Sequence, residues 1–251
     1  MNGRLKEGLR SLFPRSLVRH RILGGPLRGY TIVTSWHDYP AAILGRTEQA
    51  LLEWFAQNVG EGDTWLDIGA HYGYTTIALS KLVGAAGHVY AFEPMLNTAG
   101  CISRARLLND LAQITVVPIA LGNSADLAMD SLLSTRGMVD STLQETEGFR
   151  EPFLVSRLDW LWPKISEPGT HIDGIKIDVQ GMEIEALKGM AAVVKEYHPK
   201  LLVELHTGVS RPQFLDVIGS LGYRTRGVPL EPLAGESDPV YADRTYIFEP
   251  E

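Results

Sequence analysis

The sequence predicts a doubly wound, mainly parallel α/β sheet of seven strands with an antiparallel last strand, and three observations carry that expectation. Short apolar strands alternate with helix-length stretches along most of the chain. That rhythm belongs to a parallel sheet covered by helices. The apolar run Thr64–Ile68 enters a glycine turn, and a second apolar run then ends on the acid Glu93. The stretches from Tyr223 to Val228 and Thr245 to Phe248 read as a closing strand pair. A chain of 251 residues is long enough to bury one sizeable core.

Residues 1–45 read as an N-terminal cap, a helix followed by irregular strands around Gly29-Tyr-Thr-Ile-Val33. The domain proper is expected over 46–251. Residues 46–58 place Ala50, Leu51, Trp54 and Phe55 at helical spacing, and Gly60-Glu-Gly62 stops that helix. Strand 64–68 leads to helix 74–83, strand 88–93 to helix 95–109, and strand 113–119 follows. Strand 174–179 leads to helix 182–195, and strand 200–206 to helix 211–221. The rhythm breaks over 122–173, where strand-like pieces (Leu127 to Leu133, Glu151 to Leu158) lie among turn residues. Connections of that length commonly carry function, so an insert shaping a substrate pocket is expected there.

The segment Asp67-Ile-Gly-Ala-His-Tyr-Gly73, with Val89-Tyr-Ala-Phe-Glu93-Pro94 beyond it, has the layout of a nucleoside-binding unit. Glycines make the tight turn and let the backbone approach a ligand, and the acid accepts hydrogen bonds from ribose hydroxyls. The middle glycine of G-x-G-x-x-G, which makes room for a pyrophosphate, is replaced here by His71. That replacement favours a nucleoside with an amino-acid tail, S-adenosylmethionine, over a dinucleotide.

The strand Gly174-Ile-Lys-Ile-Asp-Val-Gln-Gly181 places Lys176, Asp178 and Gln180 on one face and Ile175, Ile177 and Val179 on the other. A central parallel strand is normally apolar on both faces, so three polar residues need partners or a cleft. In the next strand Leu202, Glu204 and His206 share a face. If the strands are neighbours, these groups gather at the carboxyl end of the sheet, where ligands bind in such folds. Lys176 reads as structural, paired with Glu204 or Asp178, because a buried lysine must be paired or neutral. Asp178 is best placed to touch a reacting group. His206 stands open between general base and a satisfied strand-end residue. Gln180 cannot serve as a base, and His71 reads as shaping the loop or the substrate edge. Asp178 and Glu204, with His206, could also hold Mg²⁺.

Charge narrows the partners. The first 28 residues carry +6 against an overall −7, leaving −13 on the rest. An acidic body argues against nucleic acid, whose phosphates need a basic footprint. The basic arm alternates Leu5, Leu9, Leu12, Phe13, Leu17 and Val18 with cations. It reads first as an amphipathic cap helix and second as a stretch able to lie on an anionic membrane surface. No apolar run approaches the ~20 residues of a membrane span, and no secretory h-region is visible. The single Cys101 excludes an internal disulfide, and a reducing, cytoplasmic setting is the default. The sequence leaves oligomeric state open.

The motifs together resemble the FkbM-type S-adenosylmethionine-dependent methyltransferases. Gly25-Pro-Leu-Arg-Gly29 and Gly45-Arg-Thr-Glu48 are similar to the family's lead-in. Asp67-Ile-Gly-Ala-His-Tyr-Gly73 resembles its Asp-x-Gly-Ala-Asn-x-Gly loop. Phe92-Glu-Pro94 with Leu108-Asn109, Val117-Pro-Ile-Ala-Leu-Gly122 and Ser156-Arg-Leu-Asp159 match further stretches. Lys176-Ile-Asp-Val-Gln-Gly-Met-Glu183, with Leu187-Lys-Gly189, resembles Lys-Ile-Asp-Val-Glu-Gly-x-Glu. The resemblance implies a class I methyltransferase (Rossmann-like) fold and O-methylation of a small molecule or glycan. It implies cofactor contacts at Glu48, Asp67, Gly69, Ala70, His71, Gly73, Glu93 and Pro94, and a methyl-transfer centre at Asp178. Three positions depart from it: His71 stands for Asn, Arg157 for Thr and Gln180 for Glu. The last removes a carboxylate and moves any base role toward Asp178 or His206. An NAD(P)-dependent oxidoreductase and an inactive nucleoside-binding protein are the competing classes.

Overall fold

The computed structural model describes residues 13–123, 126–135, 138–139, 149–231 and 243–251. Its centre is a seven-stranded sheet with seven of the chain's strands. In chain order these are β3 (Thr64–Ile68), β4 (His88–Phe92), β5 (Ile114–Val117), β10 (Gly174–Ile177), β11 (Lys200–Leu205), β12 (Val228–Pro229) and β13 (Arg244–Phe248). Across the sheet the order is β12-β13-β11-β10-β3-β4-β5. The β5-β4-β3-β10-β11 block is parallel, and β13 runs antiparallel to β11. The order reverses between β3 and β10. This is the switch point, where the strand ends part and a crevice opens.

Alternation along the strands divides the core into two layers. Leu66, Ile68, Ile175, Ile177, Leu201 and Val203 face one layer. It is covered by α5 (Leu158–Ile165), α6 (Glu183–Lys188), α7 (Ala191–Tyr197) and α8 (Arg211–Ser220). Trp65, Val89, Ala91 and Leu202 face the other, under α2 (Gln49–Asn58), α3 (Tyr74–Val83) and α4 (Leu96–Leu108). The N-terminal segment joins this second layer. Its hairpin of β1 (Val18–Arg21) and β2 (Thr31–Thr34) precedes α1 (Pro40–Leu44). Ile22, Leu27, Ile32, Val33, Ala42 and Ile43 are buried there. Asn109, just past α4, clasps β2 by accepting from Thr31 N and donating to Thr31 O, each at 2.7 Å. The basic-arm positions 1–12 lie outside the described residues, and Val18 is strand rather than helix.

The long connection forms a second sheet. The strands β6 (Ala120–Leu121), β7 (Ala128–Thr135), β8 (Met138–Val139) and β9 (Phe149–Ser156) order as β6-β9-β7-β8. The expected strand 113–119 therefore ends at Val117, and the chain turns to pair β6 with β9. The expected helix 182–195 is two helices. The Asp159 carboxylate accepts from Ala192 N (3.1 Å) and Val193 N (3.0 Å), which starts α7 afresh. At Gly189, between them, a Cβ would fall 2.0 Å from the Gly122 carbonyl. The expected strand from Tyr223 to Val228 is reduced to a bridge at Tyr223 and the two-residue β12. Among the described residues, no helix is long and apolar enough to cross a membrane.

Candidate active site

A cavity of about 340 Å³ opens at the carboxyl ends of β3, β4, β10 and β11. That is the size range of small-molecule sites. One wall is the loop after β3 and the end of β4. Gly69, Ala70, His71, Glu93 and Pro94 line it. Gly69 N and Ala70 N both donate to Phe92 O at 3.0 Å, so the loop is hung on β4. Gly69 has φ +82°, and a Cβ there would fall 1.8 Å from the Asp178 carbonyl. The glycine is thus required by the neighbouring strand's backbone, which crosses directly over it. The sequence suggested a tight turn, which the positive φ agrees with, and approach of a ligand; the neighbouring carbonyl is a further reason.

His71 sits at φ 50°. Among non-glycine residues, Asn, Asp and His adopt this left-handed region most readily. That explains how His can stand where the resembling motif has Asn. His71 N donates to Glu93 Oε2 (2.8 Å) and Met95 N to Oε1 (3.0 Å). Glu93 is buried. Burial pushes its carboxyl up to about 7, although these hydrogen bonds pull the other way.

The opposite wall carries charge. Lys176, Asp178, Val179, Gln180, Met182 and Glu204 line it. The register puts Lys176 beside Asp67 on β3 and Leu202 on β11. Lys176 Nζ lies 3.4 Å from Asp67 Oδ1 and 3.5 Å from Asp178 Oδ2. Burial opposes its charge, but Asp67, Asp178, Glu48 and Glu204 outweigh that and raise its pKa. The lysine is paired with Asp178, one of the two partners expected, and also with Asp67, which was not expected.

Asp67 is fully buried and also accepts from Thr75 Oγ1 (2.8 Å) and Thr76 Oγ1 (2.6 Å). It braces the start of α3 from behind the wall. Neither Asp67 nor Gly73 is among the lining residues. Gly73 instead caps α3 at φ 82°.

His206 also stands behind the wall. Its Nε2 lies 2.7 Å from Gln180 Nε2, 3.4 Å from Asp178 Oδ1 and 3.7 Å from Glu204 Oε1. Its Nδ1 lies 2.7 Å from Oε1 of Glu183, which is fully buried. Burial alone would lower the imidazole pKa. The Glu183 hydrogen bond and the charges of Asp178, Glu183 and Glu204 reverse that and raise it. Glu204 is raised chiefly by burial and next by Asp178. Asp178, Glu204 and His206 offer ligand atoms within 4.8 Å of one another. Lys176, His206 and Gln180 already answer those carboxylates within the protein.

Three lining residues come from the N-terminal side. Glu48 was expected from its motif; Asp38 and Tyr39 carry no sequence signal. Asp38 Oδ2 accepts from Ser35 Oγ (2.7 Å) and from Tyr72 Oη (3.0 Å). The Tyr39 ring lies 5.3 Å from that of His71. The segment is thus fastened onto the glycine loop. Glu48 holds φ 54° at the start of α2, and burial raises its carboxyl pKa. Glu48, His71 and Gln180 are three of the six described non-glycine residues with positive φ, and all three line the cavity. Such strain concentrates where side chains are aimed at a ligand.

A seven-stranded sheet of this order, with its crevice at the β3/β10 switch point, defines a class I S-adenosylmethionine methyltransferase fold. A putative rRNA-methylase from Clostridium thermocellum superposes with a TM-score of 0.50 at 12% identity, over 80% of this chain and 93% of that one. Residues 67–225 match the Methyltransferase FkbM domain, more than half of the chain, and the chain belongs to that family. The hexuronic acid methyltransferase AglP of Haloferax volcanii is 29% identical over 169 residues, 65% of this chain and 64% of AglP. The chain thus spans a little under two-thirds of that curated relative. A solved methyltransferase FkbM from Methylobacillus flagellatus KT shares 16% identity, with a TM-score of 0.49, over 78% of this chain and 50% of that one.

Proposed function

We propose that the chain is an S-adenosylmethionine-dependent methyltransferase that methylates a hydroxyl on a small molecule or glycan. The observation that carries the reading is that one cavity joins the Glu93 wall to the Asp178 wall. In this reading Glu93 accepts from the ribose hydroxyls, with the Gly69–His71 backbone and Pro94 beside it. Asp178, with the carboxyl groups of Glu48 and Glu204 beside it around Lys176, brings oxygen ligands to the other end, which suits a sulfonium. The residues present therefore fit the cofactor. When bound, S-adenosylmethionine supplies an electrophilic methyl, which an acceptor oxygen takes as the carbon–sulfur bond breaks, leaving S-adenosylhomocysteine.

The chain's own part is alignment and proton removal. Holding acceptor and donor in line is worth roughly 7–11 kcal/mol of barrier. Asp178 reaches the cavity and takes the hydroxyl proton at Oδ1. Tyr39 and Asp38 close the cofactor loop against water.

AglP is named for hexuronic acid, which supports a sugar-type acceptor. The reading uses no metal and no nucleic acid. Release of S-adenosylhomocysteine from a panel of hydroxylated glycans and small molecules tests it. Methylation of an acceptor oxygen, located by fragmentation of the product, is expected. Methylation at nitrogen or carbon instead would overturn the acceptor assignment.

A further inference from the structure

Asp178 and His206 read from the sequence as rival bases, yet the structure joins them. Asp178 Oδ1 is 3.4 Å from His206 Nε2, and the far nitrogen is 2.7 Å from Glu183 Oε1. Glu183 opens α6, is fully buried, and also accepts from Gly181 N at 3.0 Å. We propose that Glu183 is a positioning residue that fixes His206 with its proton on Nδ1, so that Nε2 alone exchanges protons with Asp178 and carries away the proton of the acceptor. This rests on the methyl-transfer reading and extends it to a residue that neither touches nor lines the cavity.

A carboxylate on one imidazole nitrogen fixes the tautomer and steadies the imidazolium that forms. Glu183 can play that part because it is fully buried and its Oε1 is already placed against Nδ1. The proton path is short. The hydroxyl proton passes to Asp178 Oδ1 and, at a pH above the raised titration of His206 where Nε2 is bare, on to Nε2, which leaves the ring cationic between Glu183 and Glu204. Atoms and charge balance, because the departing sulfur keeps the bond electrons and loses its positive charge.

Gln180 explains how His206 is free to change charge. Its amide is 2.7 Å from Nε2. An amide can donate to a bare Nε2 or, turned over, accept from a protonated one. A glutamate at 180, as in the resembling motif, would be an anion against Nε2 and would hold the ring cationic. Among the described residues, besides Gln180, Asp178 past the end of β10, Glu204 from β11 and Glu183 from α6 meet the ring, Asp243 ahead of β13 interacts with its charge, and Lys176 reaches it only through Asp178.

The test needs no acceptor. Protein labelled with ¹⁵N-histidine is titrated toward alkaline pH with S-adenosylhomocysteine present, and imidazole ¹⁵N shifts are recorded. His206→Gln identifies its signals among the seven histidines. The expected result is that His206 loses its proton from Nε2 and keeps it on Nδ1. Loss from Nδ1 in the wild-type protein overturns the proposal, whatever the variants do. In Glu183→Gln the titration should move down by about one pH unit or more, and the preference for Nδ1 should be lost. In Gln180→Glu it should move up. A folded Glu183→Gln protein with an unmoved titration and tautomer would mean that Glu183 only anchors the start of α6. Failure to bind S-adenosylhomocysteine would count against the methyltransferase reading itself and is read separately, by calorimetry on the same sample.

Discussion

The two walls of the cavity are built by different means. The β3–β4 wall is mostly backbone: a glycine loop hung on Phe92 O, with one buried carboxylate, Glu93, held by His71 N and Met95 N. The β10–β11 wall is side chains, with Lys176 compensating Asp67 and Asp178, and His206 compensating Glu183 and Glu204. A backbone wall suits a cofactor common to many enzymes. A wall of coupled charges is where proton transfer and acceptor choice can be tuned.

The largest expected effect separates the walls by function. Asp178→Asn should lower methyl transfer by about 10²–10⁴-fold, the range of a lost general base, while S-adenosylhomocysteine affinity stays within a few fold. Full turnover in that variant would remove Asp178 from the chemistry and erase the distinction.

Next comes the cost of breaking the charged wall. Lys176→Met leaves Asp67 buried without its cation, and removing one partner of a buried pair costs about 3–5 kcal/mol. Urea unfolding should show that loss. An unchanged midpoint would mean that Asp67 is satisfied by Thr75 and Thr76 alone.

A smaller effect belongs to the backbone wall. Glu93→Ala should weaken S-adenosylhomocysteine binding by roughly 10–100-fold, the worth of hydrogen bonds to a charged group, and leave urea stability less altered than Lys176→Met does. Unchanged affinity in calorimetry would detach Glu93 from the ribose.

The smallest effect is in pH. Burial holds Glu93 at about 7 in the free protein, so it is protonated below that pH and ionised above it. Binding that engages the ionised carboxylate should therefore weaken as pH falls through 7. Glu93→Gln should remove that dependence while Glu204, on the opposite wall, remains. Retention of the full pH dependence in Glu93→Gln would assign it to another group.

The same contrast explains what the sequence could disclose. The β3 strand, glycine loop and Glu93 were legible because they lie within one short stretch and follow strand–turn–helix rules. The shared face of Lys176, Asp178 and Gln180 was legible from strand alternation, and its meeting with Glu204 and His206 followed once β10 and β11 were taken as neighbours. The Lys176–Asp67 pair was not, because β3 and β10 are far apart in sequence and adjacent only in the sheet. Asp38 and Tyr39 reach the cavity through the packing of the N-terminal segment on Tyr72 and His71, which no local spacing encodes. A further reason for Gly69 lay in a neighbouring strand's carbonyl. The break at Gly189 depended on Asp159 capping α7 from thirty-odd residues upstream.

The most direct measurement is calorimetric titration of the wild-type protein with S-adenosylhomocysteine, with NADPH as the comparison ligand. The account predicts saturable one-to-one binding of the adenosyl ligand, weakened in Glu93→Ala and preserved in Asp178→Asn, and no binding of NADPH. Binding of NADPH in place of S-adenosylhomocysteine, or of neither, would contradict it.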